Sequence, residues 1–221
     1  MASYQQYPHY KSTKCAWLKN VPTHWLVKRV KNIATYNDET LDDKTEPDLE
    51  IEYVDISSVS LINGIEKFES MTFDKAPSRA RRKVKHGDII VSTVRTYLKA
   101  IAPVNHPSEN MIVSTGFVVV RPMQNLYSGF AGYLLQSDGF VGDVVANSVG
   151  VSYPAINASD LVCIPVVEPP MPEQKSIACF LDYKTAQIDR LIQSMCGVTS
   201  IAQGNQSKNI GSLLLEYRSA L

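Results

Sequence analysis

Apolar residues follow two kinds of order along this chain. From Ile51 to Arg121 they come in short runs of β-branched and aromatic side chains separated by turn formers. Ile51 to Ile56, Asp88 to Thr93, Lys99 to Val104 and Met111 to Val120 are predicted as strands, with Asn63-Gly64 as a tight turn between Leu61-Ile62 and Ile65. Phe117 to Val120 is wholly apolar, which predicts a central strand buried on both faces. Between Tyr127 and Val145 the order becomes helical: Leu134, Leu135, Phe140, Val141, Val144 and Val145 sit at helical spacing, interrupted by Gly129, Gly132, Gly139 and Gly142. One or two helices broken by a turn are expected there.

The flanks read differently. Residues 1–16 are polar and aromatic and are expected to form a flexible arm, with folded structure beginning near Trp17. Thr23 ahead of Trp25, Leu26, Val30 and Ile33 predicts a capped helix, while Pro22 and the β-branched residues leave a turn or short strand open. A strand is expected near Leu161 to Val167, and the cluster Pro165, Pro169, Pro170 and Pro172 marks the end of a domain spanning 17–170. Pro172 then suits the first turn of a helix, Glu173 complements its dipole, and Ile177, Leu181, Ile188, Leu191 and Met195 form one stripe, four and three residues apart. A helix over 173–196 would measure about 36 Å, and the region 171–221 is expected to act as a spacer and partner-binding element. Gly197, Gly204 and Gly211 predict a break, with Ser212 capping a last short helix through Leu214, Tyr217 and Leu221. The fold class expected is α/β (α+β): a β-rich domain followed by a long coiled-coil-type helix.

Composition changes this picture little. Lys plus Arg and Asp plus Glu each number 22, so a surface for nucleic acid must come from local segregation of charge. No stretch is long and apolar enough to cross a bilayer and no secretory signal opens the chain, so a cytoplasmic location is expected, with no membrane partner. Cys15, Cys163, Cys179 and Cys196 are dispersed and read as reduced, mostly buried thiols; no metal site is expected.

Charge does segregate locally. Arg79, Arg81, Arg82, Lys83 and Lys85 place five cations in seven positions, read as a loop before a strand. Such a loop suits phosphates, and an arginine there could read guanine, against the plainer alternative of a solvated charged turn. Arg95, Tyr97 and Lys99 form a second candidate: in the strand reading they share a face, and a buried Tyr97 between surface cations is the alternative. A third is Asn147-Ser148-Val149-Gly150-Val151-Ser152-Tyr153, whose Asn147, Ser148, Ser152 and Tyr153 supply small polar groups on flexible backbone, or merely a turn into Ile156. The acidic stretch Asp38 to Glu52 is expected to face away from any DNA.

Six runs, taken in order, say more than any one of these. They are Val21-Pro22-Thr23-His24-Trp25, Gly87-Asp88-Ile89-Ile90-Val91-Ser92, Ser114-Thr115-Gly116-Phe117, Val149 to Ile156, Pro169-Pro170-Met171-Pro172-Glu173-Gln174-Lys175, and Ile177-Ala178-Cys179-Phe180-Leu181-Asp182. Across residues 17 to 195 the chain resembles one target recognition domain and one conserved helix of the DNA specificity subunit of type I restriction-modification enzymes. The resemblance implies a non-catalytic half subunit that reads one half of a bipartite duplex target, while its helix sets the spacing and docks methyltransferase subunits. S-adenosylmethionine and ATP with Mg would belong to those subunits and to a restriction/translocase partner; this chain would carry no cofactor. A second copy, joined through the stripe, would complete the pair.

No catalytic motif competes. Pro47-Asp48 and Glu173-Gln174-Lys175 imitate a nuclease signature but fall in different predicted units, and Glu168-Pro169-Pro170-Met171 lacks the amide and aromatic of an adenine methyltransferase tetrad. His9, His24, His86 and His106 show no site-like spacing, and no hydrolase or phosphate-loop signature occurs. The rival expectation is a protein interaction module that anchors or inhibits such an assembly without binding DNA.

Overall fold

The computed structural model describes residues 7–15 and 17–202, with side chains through residue 194. In chain order the strands are β1 (Tyr10–Ser12), β2 (Asn20–Pro22), β3 (Leu26–Arg29), β4 (Ala34–Tyr36), β5 (Glu50–Val54), β6 (Val59–Ser60), β7 (Gly64–Ile65), β8 (Glu69–Thr72), β9 (Ala80–Lys83), β10 (Ile89–Ser92), β11 (Ile101–Pro103), β12 (Met111–Ser114), β13 (Phe117–Pro122) and β14 (Pro165–Glu168). The helices are α1 (Ser128–Gln136), α2 (Asp138–Ala146), α3 (Ala158–Leu161) and α4 (Met171–Ala202). The chain divides into two compact units, Met1–Ala178 and Cys179–Leu221.

Two four-stranded sheets build the first unit. One has the order β11-β10-β13-β4 and is antiparallel throughout; the other has the order β8-β5-β12-β9 and contains one parallel pair, β5 with β12. The predicted strand Met111 to Val120 is in fact two strands, one in each sheet, because the chain turns at Thr115-Gly116. Gly116 is required there: a Cβ would lie 2.4 Å from the Ile56 Cδ1 methyl.

Strand alternation explains why Ile89–Val91 of β10 and Phe117–Val120 of β13 are apolar at every position. Ile89, Val91, Val118 and Val120 point to a core shared with Phe130, Leu134, Leu135, Phe140 and Val144 of α1 and α2. Ile90, Phe117 and Val119 point the other way, into a core shared with Val54 and Val113 of the second sheet. The expected two-face burial of Phe117 to Val120 is therefore observed. Asn63-Gly64 closes the β6–β7 hairpin, with Gly64 at φ 71°, and the predicted helical segment 127–145 resolves into α1 and α2, broken at Ser137, whose hydroxyl accepts from the Phe140 amide and caps α2.

Several expectations are corrected. The segment after Thr23 is not a capped helix but the short strand left open as its alternative. Leu26–Arg29 pairs with Pro165–Glu168, and only a single 3₁₀ turn, Val30–Asn32, follows, because tertiary pairing outweighs a weak helical pattern in β-branched sequence. Tyr10–Ser12, inside the expected arm, pairs with Asn20–Pro22. Leu161 ends a short helix, and the strand begins only at Pro165. Cys179 is exposed, whereas Cys15 is buried.

The first turns of α4 are locked to the domain by polar chemistry. Gln174 is 0% exposed. Its Oε1 accepts from the Tyr127 amide at 2.8 Å, and its Nε2 donates to the Asn125 and Pro169 carbonyls at 2.9 and 2.8 Å. The Glu173 carboxylate accepts from Trp25 Nε1 at 2.9 Å and Tyr7 Oη at 2.8 Å, and His24 Nε2 lies 2.7 Å away. Burial raises the Glu173 pKa, but the bonds from Trp25, Tyr7 and His24 outweigh it and hold the carboxyl below its usual range. Ile177 and Ala178 pack into the domain core, so Ile177 leaves the stripe to which its spacing assigned it.

In the second unit α4 continues without a break through Gly197 to Ala202, contrary to the break expected at that glycine. Leu181 is half-buried, while Phe180, Tyr183, Ile188, Leu191 and Ile192 are exposed. The Met195 and Cys196 side chains, Gly204, Gly211 and the expected helix from Ser212 lie outside the described residues. Among the described residues no helix is long and apolar enough to cross a membrane.

Candidate functional site

Two loops meet at the Ser92 end of β10. The first leaves the sheet at Ser92, whose amide bonds the Ala100 carbonyl at 2.9 Å and so closes the excursion 93–99. Within it Arg95 (φ 49°) and Lys99 (φ 53°) adopt left-handed backbone on either side of a 3₁₀ turn, Thr96–Leu98. That region costs a residue with a Cβ about 1 kcal/mol or more, and it persists only where the surroundings enforce it. The enforcement is visible: Thr93 donates through both its amide and its hydroxyl to the Gly116 carbonyl, and buried Thr96 holds its Oγ1 2.8 Å from Ser148 Oγ.

The second loop follows α2. Asn147 Nδ2 and Ser148 Oγ donate back to the Asp143 and Val144 carbonyls and finish the helix. Val149 and Ala155 then exchange both backbone bonds, at 2.8 and 3.0 Å, which pinches residues 150–154 into a projecting tip. Gly150 sits at φ 114°, where a Cβ would crowd the Tyr153 carbonyl at 3.1 Å. Val94 bridges to Ala155, and the Ile156 amide bonds the Thr93 carbonyl, so the two loops are joined by main chain.

On this rim the Arg95 guanidinium lies 5.0 Å from the centre of the Tyr153 ring. Tyr153 is 67% exposed and Val151 101% exposed. Tyr97, Leu98 and Val149 are exposed beside them, so neither sequence-based picture of 95–99 holds: the segment is not a strand with one face, and Tyr97 is not buried. Among the described residues neither Arg95 nor Lys99 is ion-paired to a carboxylate.

The denser basic cluster is built otherwise. It is no loop: Ala80–Lys83 is the edge strand β9, bonded to β12 on one side and bridged at Arg82 to Thr40 on the other. The acidic stretch therefore runs beside the cations instead of facing away from them. Arg79 pairs with Asp55 at 3.2 Å, Arg81 with Asp43 at 3.3 Å while stacking on Phe73, and Lys85 with Glu39 at 2.5 Å. Arg82 is half-buried, and desolvation lowers its pKa from the usual guanidinium value. Lys83 is exposed.

The two ends of this cluster part company. The Arg79 carbonyl accepts from the Thr115 amide, next to the Gly116 that holds Thr93, so Arg79 belongs to the loop end. Lys85 bonds Asp88 through its amide, at the opposite end of β10, roughly 17 Å away at 3.4 Å per residue. There buried Asp88 receives Arg121 through Nε and Nη2, both at 2.8 Å, and Arg121 Nη1 reaches Glu39 at 2.7 Å. The structure thus gathers Arg95, Tyr97, Lys99, Ser148, Ser152 and Tyr153 with Arg79, and leaves Lys85 elsewhere. Sequence reasoning missed Thr93, Thr96 and Leu98. An apolar residue inside a cationic turn was the available signal for Leu98; Thr93 and Thr96 gave none.

Comparison with known proteins follows this geometry. The family described as type I restriction modification DNA specificity domain matches residues 22–194. The HsdS subunit of Thermoanaerobacter tengcongensis is similar over 83% of this chain and 47% of its own, at 28% identity and a TM-score of 0.71. A chain from a study of complex assembly and conformational transition of the type I R-M system is similar over 86% and 53%, at 27% identity and 0.71. The S subunit of the type I system of M. genitalium, at 18% identity and 0.51 over 76% and 41%, shares the fold. The chain spans about half the length of these solved subunits. No match emerged among curated protein sequences.

Proposed function

We propose, from the premise that this chain belongs to the family of type I restriction-modification DNA specificity domains, that its paired loops read one half of a bipartite duplex target. The family is one of non-catalytic specificity domains. The observation that carries the reading is the rim itself: Arg95 and Lys99 without acid partners, Tyr97 and Tyr153 exposed among them, and small polar groups at Asn147, Ser148 and Ser152. Cations without carboxylates are the ones free to displace counterions from phosphate. Arg79, Arg81, Arg82, Lys83 and Lys85 are assigned a supporting role, because most of their charge is neutralised within the domain.

In the same reading α4 sets the distance to a second reader and docks methyltransferase subunits, which supply S-adenosylmethionine chemistry, and a restriction/translocase subunit supplies ATP-driven cleavage. Leu181, Ile188, Leu191 and Ile192 support a coiled-coil pairing with a second helix. A second copy of this chain is the proposed mate, which gives a two-fold assembly reading a symmetric site. Sedimentation of the chain by itself at micromolar concentration, with no methyltransferase subunit present, tests this: a strict monomer rejects the dimer. The location assigned is the cytoplasm, where the substrate DNA is.

Zero net charge and the acid-paired basic strand favour the second reading, a protein-only interaction module. Salt separates the two. Each phosphate neutralised contributes about 0.9 to the slope of log affinity against log salt, so duplex binding by the chain with its modification subunits should weaken steeply between about 50 and 200 mM salt. Absence of duplex binding in that assembly at low salt rejects the DNA reading.

A further inference from the structure

Among the arginines of the first unit, Arg95 is set apart by the aromatic ring that lies beneath its exposed guanidinium. Arg79, Arg81 and Arg121 each meet a carboxylate and Arg82 is half-buried, whereas Arg29 is exposed and, among the described residues, has neither an ion pair nor an aromatic ring beneath it. Arg95 is exposed, has no carboxylate partner among the described residues, and lies over the Tyr153 ring. An aromatic face under a guanidinium fixes the plane of the fork and leaves its edge donors outward. The backbone beneath is committed as well: φ 49° at Arg95 is held by the Val94 to Ala155 bridge and by the Thr96 to Ser148 hydrogen bond.

A phosphate contact needs little of this. Lys99, on the same turn and also unpaired, serves it as a flexible point charge. Left-handed backbone, a guanidinium lying over an aromatic ring and a second loop joined beneath it suit a planar, bidentate contact. Guanine O6 and N7 in the major groove form the acceptor pair that fits an arginine fork. We propose that Arg95 is a specificity-determining residue that reads a guanine edge, with Tyr153 as its positioning residue. This rests on the DNA-reading assignment above.

The test is selection from a randomised duplex library by the full chain assembled with its modification subunits. It compares wild type with R95K, R95A, K99A, Y153F and Y153A. Wild type should select a sequence containing guanine at one or more positions. R95K and R95A should lose roughly ten- to hundredfold of the preference for guanine at one position and keep the others. K99A should weaken binding to every sequence alike and leave the selected motif unchanged. Y153F keeps the ring and should keep the guanine, whereas Y153A should relax that position in part, a pattern that a merely structural tyrosine would not produce.

Uniform weakening in R95K with an unchanged motif makes Arg95 a phosphate contact and overturns the proposal. So does a wild-type motif without guanine. Failure of the wild-type assembly to enrich any sequence overturns the DNA reading itself, and this assignment with it.

Discussion

Replacing Gln174 should destabilise the first unit far more than its single amide suggests. The side chain is fully enclosed and makes three bonds of 2.8 to 2.9 Å to main chain: the amide before α1, the Asn125 carbonyl and the Pro169 carbonyl of the proline loop. Gln174→Leu keeps the volume but abandons all three partners inside a region that water does not reach. A buried main-chain group left unsatisfied costs about 1–3 kcal/mol, and relaxation recovers part of it, so a loss of about 3–5 kcal/mol is expected. With a urea m-value of about 2 kcal/mol/M, the midpoint should fall by roughly 1.5–2.5 M. Gln174→Glu sharpens the test: a carboxylate still accepts from the Tyr127 amide but faces two carbonyls with no proton to give, and should be at least as damaging. Tryptophan fluorescence through a urea titration reports it, since Trp17 and Trp25 pack against the same core. A shift below about 0.5 M in Gln174→Leu, with an unchanged m-value, would mean that the three bonds contribute little net stability and that the locking argument fails.

The Glu173 carboxyl, held below its usual range by bonds that outweigh its desolvation, stabilises the fold fully above the unfolded carboxyl's pKa and loses that contribution as pH falls through the folded value. The difference in urea midpoint between wild type and Glu173→Gln should therefore shrink as pH drops from about 6 toward 3; a constant difference refutes it. Arg121→Met strands buried Asp88, which is 1% exposed, and should cost about 3–5 kcal/mol. Adding Asp88→Asn should recover part of that loss in the same titration. Gly150→Ala places a Cβ on backbone at φ 114° against the Tyr153 carbonyl. It should cost about 1–2 kcal/mol locally and lower duplex affinity, with the circular dichroism unchanged; wild-type affinity would remove the loop tip from the interface.

Periodicity carried the elements that obey it. Asp88 to Thr93 read as a strand, Phe117 to Val120 as a strand buried on both faces, and 127–145 as one or two broken helices, because a two-residue or 3.6-residue repeat is a local property of the chain. The segment after Thr23 stayed open between a capped helix and a turn or short strand because four apolar residues fit a helical stripe as readily as a strand. Only its partner at Pro165–Glu168, more than a hundred residues away, decides. Residues 95–99 were placed on a strand for the same reason, as alternation cannot show that the backbone turns left-handed at Arg95 and Lys99.

The family, the β-rich core and the long helix were legible in the order of residues, because each is written in short local runs. Which cations are available, by contrast, depends on contacts between distant parts of the chain. Pairing of β9 with β12 and its bridge to the acidic stretch bring Arg81 to Asp43, and the Val94–Ala155 bridge with the Thr96–Ser148 hydrogen bond joins two loops more than fifty residues apart. Charge neutralisation acts through space over a few ångströms. A count of basic residues therefore ranked the crowded segment 79–85 first, and the fold instead leaves Arg95, over the Tyr153 ring, exposed and without a carboxylate partner among the described residues.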